Sequence, residues 1–160
     1  MLKIVILKNK VLQSKATIDV YLNQRFDLIP NLVECVKTYM EYERDILEKI
    51  IKERAEYIQK VDKDLEKAGI IDSKCNYIVA VAENYPELKT SEHFINLSEE
   101  LSKMENKIQA ARRLYNGDAT IYNTKIKIFP SNIVATVFNH KLQKLFEIPE
   151  FKKQNIKFDI

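Results

Sequence analysis

The sequence predicts an all-α protein, and three observations support this fold class. Glycine occurs twice and proline four times in 160 residues, so the chain is poor in the residues that form the tight turns of β proteins. Apolar residues recur at steps of three and four along most of the chain, and no segment alternates apolar and polar residues for long. Because such helices need neighbours to bury their apolar stripes, we predict an elongated antiparallel up-and-down bundle of four to five helices with coiled-coil-like packing. We expect one domain spanning 1–160, with an extended tail over 148–160.

The first two predicted helices meet near residue 27. An apolar stripe runs along residues 4–26 at helical spacing. Asp27 is the predicted N-cap of the second helix, and Pro30 lies in its first turn, where a missing N–H costs no helical hydrogen bond. The apolar pattern then continues to about residue 66, which predicts one rod of roughly 55 Å. Gly69 is the predicted stop of this rod.

Two further helices follow, separated by a proline. The first begins near Asp72 and is interrupted by Pro86. The second starts at a Thr90 or Ser91 cap and has the most regular apolar pattern in the chain, which extends to Phe129. Its period of about 3.5 residues is typical of a helix packed nearly parallel to its neighbours.

A last helix is predicted after Pro130. It begins at Ser131 and ends at Pro149, where the proline cannot continue it. Its inward-facing apolar residues are predicted to be Val134, Val137, Phe138, Leu142, Leu145 and Phe146.

Charge and composition exclude several classes of protein. The net charge of +3 is too small to argue for nucleic acid binding. Cys35 and Cys75 form neither a CxxC pair nor a disulfide framework, and we expect them to behave as small buried residues. The opening apolar run over 1–7 is much shorter than the about 20 residues that a membrane-spanning helix needs.

No catalytic or metal site is legible in the sequence. His93 and His140 lack the Glu-x-x-His pattern of di-iron bundles, and the histidines and cysteines are too scattered for the usual zinc spacing. No nucleophile elbow, Walker loop, HExxH or dinucleotide fingerprint is present. We therefore predict no catalytic, cofactor-binding or metal-binding residues, and no cofactor. An enzyme whose site is not legible from sequence stays open as an alternative.

Polar residues lie beside the apolar seam of the fourth predicted helix. Arg112 and Arg113 follow Ala111, and Asn116 and Asn123 each follow a tyrosine, so that a Tyr-Asn pair recurs after seven residues. One interpretation is interhelical hydrogen bonding that fixes the register of the helices, because buried Arg and Asn normally have structural partners. The other interpretation is a polar groove for a peptide or a lipid headgroup.

Four lysines with few acids among them crowd the first helix. A solvated helix face explains them most simply. A face toward anionic lipid explains them as well, since each charge near such a surface contributes about 1 kcal/mol. The lipid-facing candidates are Lys3, Lys8, Lys10 and Lys15.

Several blocks of residues, in order along nearly the whole chain, resemble the bacterial LemA family. The blocks are Ile18-Asp19-Val20 with Leu22, Arg25 and 27–33, then 83–89 with Phe94, then 105–108 with Ala111-Arg112, and finally the two Tyr-Asn pairs with 129–132. The signature candidates within them are Asp19, Arg25, Asp27, Pro30, Asn31, Tyr85, Pro86, Arg112, Tyr115, Asn116, Tyr122, Asn123, Phe129 and Pro130.

The resemblance implies an antiparallel helical bundle and membrane association, because LemA-like proteins usually have one transmembrane helix directly before the region that Ile4 begins. It implies no established enzymatic activity. We therefore expect a non-enzymatic, membrane-associated helical domain of unknown molecular activity that binds or scaffolds a protein partner, with no nucleic acid partner. The chain as given is expected to be soluble and cytoplasmic. The alternatives are an enzyme with an illegible site, or peripheral binding of anionic lipid through the first helix.

Overall fold

The fold was analysed in a computed structural model that describes residues 1–60 and 65–146, so the predicted tail over 148–160 lies outside the described residues. The described residues form seven α-helices, one short 3-10 helix and no β-strand. The all-α prediction is therefore confirmed, while the up-and-down order of four to five helices stays a prediction. The α-helices are α1 (Leu2–Asp27), α2 (Ile29–Val36), α3 (Arg44–Gln59), α4 (Leu65–Ala82), α5 (Pro86–Lys89), α6 (Glu92–Lys127) and α7 (Ser131–Val137), and the 3-10 helix is Glu41–Glu43.

Contacts divide the chain into two compact units. The terminal unit consists of Met1–Ile18 and the described part of Gln109–Ile160. The central unit consists of the described part of Asp19–Ile108. Helices α1 and α6 contribute residues to both units. A single domain over 1–160 stays a prediction.

In the central unit, α3 packs against both α2 and α4. The core is apolar, because burying aliphatic and aromatic side chains is the main favourable term in folding. Its buried apolar residues include Leu22, Phe26, Ile29, Leu32, Val36, Met40, Leu47, Ile50, Tyr57, Ile71, Cys75, Ile78, Leu88, Phe94, Leu97 and Leu101.

The predicted rod from residue 29 to 66 is wrong, because the chain leaves the helix after Val36. Met40 has φ −108° and ψ 58°, which are not helical values, and its side chain is completely buried. The 3-10 helix and α3 follow, and α3 packs back on α2. The two shorter helices thus bury their stripes against each other. The apolar pattern does not reveal this break, because the stripe resumes in register at Leu47.

Two predictions about helix ends are also wrong. Asp27 is the last residue of α1, and the N-cap of α2 is Leu28, which makes no side-chain capping bond. The exposed Asp27 carboxylate instead accepts a hydrogen bond from Arg54 Nη2 at 3.5 Å. Gly69 lies inside α4 without the positive φ that a C-terminal glycine stop uses. Pro30 does lie in the first turn of α2 as predicted.

The seam of α6 is confirmed over most of its length. The helix begins directly after Ser91, and its seam residues are buried apart from the half-buried Met104. The seam ends before Phe129, which is 74% exposed. The buried seam residues are Phe94, Leu97, Leu101, Ile108, Ala111, Tyr115, Tyr122 and Ile126, and Ala119 is buried with them.

The predicted last helix is too long. Helix α7 ends at Val137, and Asn139 has the positive φ of 51° that asparagine tolerates better than most residues. The His140 N–H donates to the Ala135 carbonyl at 2.8 Å and closes the helix end. Residues 140–146 have no regular secondary structure. Four residues that were predicted to face inward are exposed instead, namely Val137, Phe138, Leu142 and Leu145.

Candidate functional site

Two asparagines of α6 hold residues 140–146, which we call the docked segment, by its main chain. Asn123 Nδ2 donates to the Gln143 carbonyl at 2.8 Å, and the Gln143 N–H donates to Asn123 Oδ1 at 2.8 Å. Asn116 binds Phe146 in the same way, at 3.0 Å to the carbonyl and 2.8 Å from the N–H. Each side-chain amide therefore satisfies both main-chain groups of one residue, as a neighbouring β-strand does. We call Asn116 and Asn123 the clamp asparagines.

The spacing of the clamp asparagines matches an extended chain. They are seven residues apart, which is about 10.5 Å along a helix. Gln143 and Phe146 are three residues apart, and an extended chain covers about 10 Å in three residues. Because the earlier asparagine holds the later residue, the docked segment runs opposite in direction to α6.

The two tyrosines that precede the clamp asparagines also contact the docked segment. The Tyr115 hydroxyl donates to the Lys144 carbonyl at 3.0 Å, and the Tyr122 hydroxyl is hydrogen-bonded to His140 Nδ1 at 3.3 Å. Burial raises the pKa of Tyr115 and of Tyr122, so both phenols stay protonated at neutral pH and Tyr115 remains a donor.

The docked segment has one aromatic anchor. The Phe146 ring lies edge-on to Tyr115 with 5.1 Å between ring centroids, and the Arg112 guanidinium lies 5.7 Å from the Phe146 ring centroid. Leu142 and Leu145 of the same segment are exposed. The site thus binds the main chain at three residues, Gln143, Lys144 and Phe146, and packs one aromatic ring, while Leu142 and Leu145 stay about half exposed.

The signature residue Arg25 lies in a second polar cluster, in the central unit. Its side chain is completely buried, and its Nη1 is bonded to both Asp72 and Glu105. Arg25 Nη2 donates to Asn76 Oδ1 at 2.6 Å. Every partner is a side chain of α4 or α6, so this cluster holds helices of the central unit in fixed positions. Sequence reasoning missed Asp72, Asn76 and Glu105 as its partners.

Cys75 lies near Arg25 and Asp72 and is completely buried. Burial, the largest cause, raises the pKa of the Cys75 thiol to about 12, with Arg25 lowering it and Asp72 raising it. Cys75 is therefore an inert buried thiol. Cys35 is half-buried rather than buried, and burial raises its pKa as well.

The remaining signature candidates are not gathered at either cluster. Asp19 accepts from the Tyr57 hydroxyl at 3.5 Å, and the Tyr85 hydroxyl donates to Glu43 at 3.2 Å. Pro86 begins α5, and Pro130 precedes α7. Pro30 and Asn31 are exposed on α2.

The four lysines of α1 lie between two apolar faces of the helix. At 100° per residue, Lys3 and Lys10 lie on one side of the buried stripe, and Lys8 and Lys15 lie on the other. The face opposite the buried stripe is mostly apolar, with the exposed Asn9 and Gln13 among its residues, and all four lysines are exposed. The exposed apolar residues of this face are Leu2, Val5, Ile6 and Leu12.

Within 1–60 and 65–146, no helix has the length and apolar character needed to cross a bilayer. In the same residues, no group of three or more His, Cys, Asp or Glu side chains is placed to hold a metal ion.

Comparison with known proteins gives a consistent answer. The model of the LemA family matches residues 14–159. The chain is 27% identical over 153 residues to Protein LemA of Metamycoplasma hominis, in a match that covers 93% of this chain and 69% of that protein. The residues that the family model matches include all of α6, and so positions 116 and 123. The chain belongs to the LemA family.

Proposed function

We propose that this chain is a non-enzymatic helical domain that binds a protein partner on the face of α6 that contains the clamp asparagines. One observation supports the proposal above all: each clamp asparagine pairs with both main-chain groups of one residue. An interhelical contact that fixed register would use side chains of another helix, as Arg25 does. A pair of amides aimed at main chain suits recognition of a polypeptide.

The test compares which proteins of a bacterial cell extract are retained by the immobilised chain and by its variants. The immobilised chain is compared with its Asn116→Ala/Asn123→Ala variant, and with Asn96→Ala as the matched control, an exposed asparagine of the same helix. Removing the clamp bonds, each worth about 1 kcal/mol net, is expected to reduce the retained partner about tenfold or more. The control is expected to retain the partner. Equal retention of every protein by the chain and the double variant would contradict the proposal.

A second candidate function is membrane association through α1, by contact with an anionic lipid surface. The observation that favours it is the exposed apolar face of α1 with a row of lysines on each side. Lysine stems reach past apolar surface while their charges stay in the headgroup region, so this order of residues suits a helix that lies on a membrane.

Vesicle co-sedimentation tests this second function. Binding to phosphatidylglycerol-containing vesicles is expected to fall about tenfold or more when Lys3, Lys8, Lys10 and Lys15 are changed to Glu, and to weaken with salt. Changing the exposed lysines Lys49, Lys52, Lys89 and Lys103 to Glu is the control with equal charge. Binding that is insensitive to salt, or lost equally in the control, would contradict this function.

A further inference from the structure

We infer that the α6 site selects its partner by register, taking an extended segment with an aromatic residue three positions after the residue that Asn123 holds, and that the docked segment 140–146 competes with this partner in the same chain. This inference rests on the proposed function and names its partner class. It follows from two kinds of contact in the site: those to the main chain, which any residue except proline can form, and one to an aromatic side chain.

The clamp asparagines recognise the position of main-chain N–H and carbonyl groups, and they make no selection among side chains. Every residue except proline offers the N–H and the carbonyl that one asparagine binds. The distance between Asn116 and Asn123 fixes the second clamped residue three positions after the first, provided that the segment is extended. The Tyr115 hydroxyl adds one bond to the carbonyl between them, again without regard to side chain.

Side-chain selection occurs at the second clamped position. There the Phe146 ring packs edge-on against the buried Tyr115 and beneath the Arg112 guanidinium. An aromatic ring has the flat, electron-rich face that a guanidinium attracts. Lys144 and Leu145 are exposed, so the site does not select a particular side chain at the two positions before Phe146.

The docked segment is a replaceable occupant. Four of its bonds to α6 are those of the clamp asparagines to main chain, which any extended segment in the same register would also form. Because it is joined to α7 by a short link, its effective concentration at the site is on the order of millimolar. A partner's apparent affinity is therefore its intrinsic affinity multiplied by the fraction of molecules in which the docked segment is released.

The experiment uses the full-length chain and a labelled peptide with the sequence of residues 139–146, followed by fluorescence anisotropy. Gln143→Pro removes the N–H that donates to Asn123 and leaves α6 unchanged. Loss of that bond, about 1 kcal/mol, is expected to tighten peptide binding about fivefold or more relative to the unchanged chain. Lys144→Pro is the matched control, since neither asparagine holds the Lys144 N–H, and it is expected to leave the affinity within about twofold.

Peptide variants test the register. With the Gln143→Pro chain, replacing the final Phe of the peptide by Ala is expected to weaken binding about tenfold, because an aromatic pair and its buried area are lost. Replacing the Leu before it by Ala is expected to change binding less than twofold. Adding Asn116→Ala and Asn123→Ala to the chain is expected to abolish binding.

The outcomes separate the inference from the proposed function. If the peptide binds the unchanged chain and the Gln143→Pro chain equally, internal competition is wrong while protein binding on α6 stands. If the Phe-to-Ala peptide binds as well as its parent, selection by register is wrong. If the peptide binds neither chain although circular dichroism shows both folded, the proposed function itself is contradicted.

Discussion

Arg25 in the central unit and the clamp asparagines in the terminal unit are both polar groups beside an apolar core, yet they bind different kinds of partner. Arg25 is buried and bonded to side chains of α4 and α6. Asn116 and Asn123 are half-buried and bonded to the main chain of a short segment. Both groups belong to the signature by which the sequence resembles its family.

The two groups differ in how strongly each depends on the side chains opposite it. A buried cation bonded to two carboxylates depends on those residues, because removing one member leaves an uncompensated charge. An amide bonded to main chain depends on no particular side chain, so another segment can take the same place. We therefore expect substitutions at the Arg25 cluster to destabilise the fold more than substitutions at the clamp asparagines.

Arg25→Ala is expected to lower the free energy of unfolding by about 3–5 kcal/mol, because Asp72 is left buried without its cation. Urea unfolding measures the loss. Arg113→Ala, at an exposed arginine, is the control, with an expected change within about 0.5 kcal/mol. A loss below about 1 kcal/mol for Arg25→Ala would show that the cluster is not a buried structural unit.

Leu101→Ala is expected to cost about 2–5 kcal/mol, because it removes a buried side chain from the seam of α6. Urea unfolding measures this loss, which can then be compared with the loss of unfolding free energy for Arg25→Ala. Ser102→Ala, at the exposed neighbouring position, should stay within about 0.5 kcal/mol. A near-zero loss for Leu101→Ala would mean that the seam packs less tightly than its burial indicates.

Asn116→Ala/Asn123→Ala is expected to cost only about 1–2 kcal/mol, because the released main chain of the docked segment is hydrated. The local effect is larger. Hydrogen exchange of the Gln143 and Phe146 amides should accelerate about tenfold or more, while Asn96→Ala leaves it unchanged. A global loss as large as that of Arg25→Ala would place the clamp asparagines among the structural residues.

The smallest expected effect is a pH dependence from Tyr115. Burial raises its pKa above the ordinary value of 10.0, so the folded chain holds the phenol proton more tightly than the unfolded chain does. The stability that this contributes is fully present below pH 10.0 and is lost as the pH rises through the folded pKa. The stability difference between the unchanged chain and Tyr115→Phe, measured in urea, should stay constant to about pH 9 and change only at higher pH. A difference that changes between pH 6 and 8 would contradict this assignment.

The sequence predicts the helices whose apolar residues recur at regular steps of three and four. The regular steps from Phe94 to Ile126 correctly predict a long helix with a buried seam. The break at Met40 was not predictable, because the apolar stripe resumes in register after it. The positive φ of Asn139 likewise interrupts a pattern that continues beyond it.

The site was predictable in part. The repeated Tyr-Asn pairs mark the residues of α6 that bind the docked segment, and a polar groove for a peptide or a lipid headgroup was one of two interpretations of them. Their partners, Gln143 and Phe146, were not predictable, since an asparagine that binds main chain requires no particular side chain opposite. The Arg25 partners depend on which faces of α4 and α6 meet, which periodicity alone does not specify.

The exposure of Leu142 and Leu145 has an evolutionary consequence. Half-exposed side chains are weakly constrained by packing, whereas the tyrosines, asparagines and Arg112 of α6 make the specific contacts described above. Homologues are therefore expected to diverge in this stretch faster than in the helix that receives it. Within this stretch, the position of Phe146 is expected to vary least, because its ring packs against Tyr115 and Arg112.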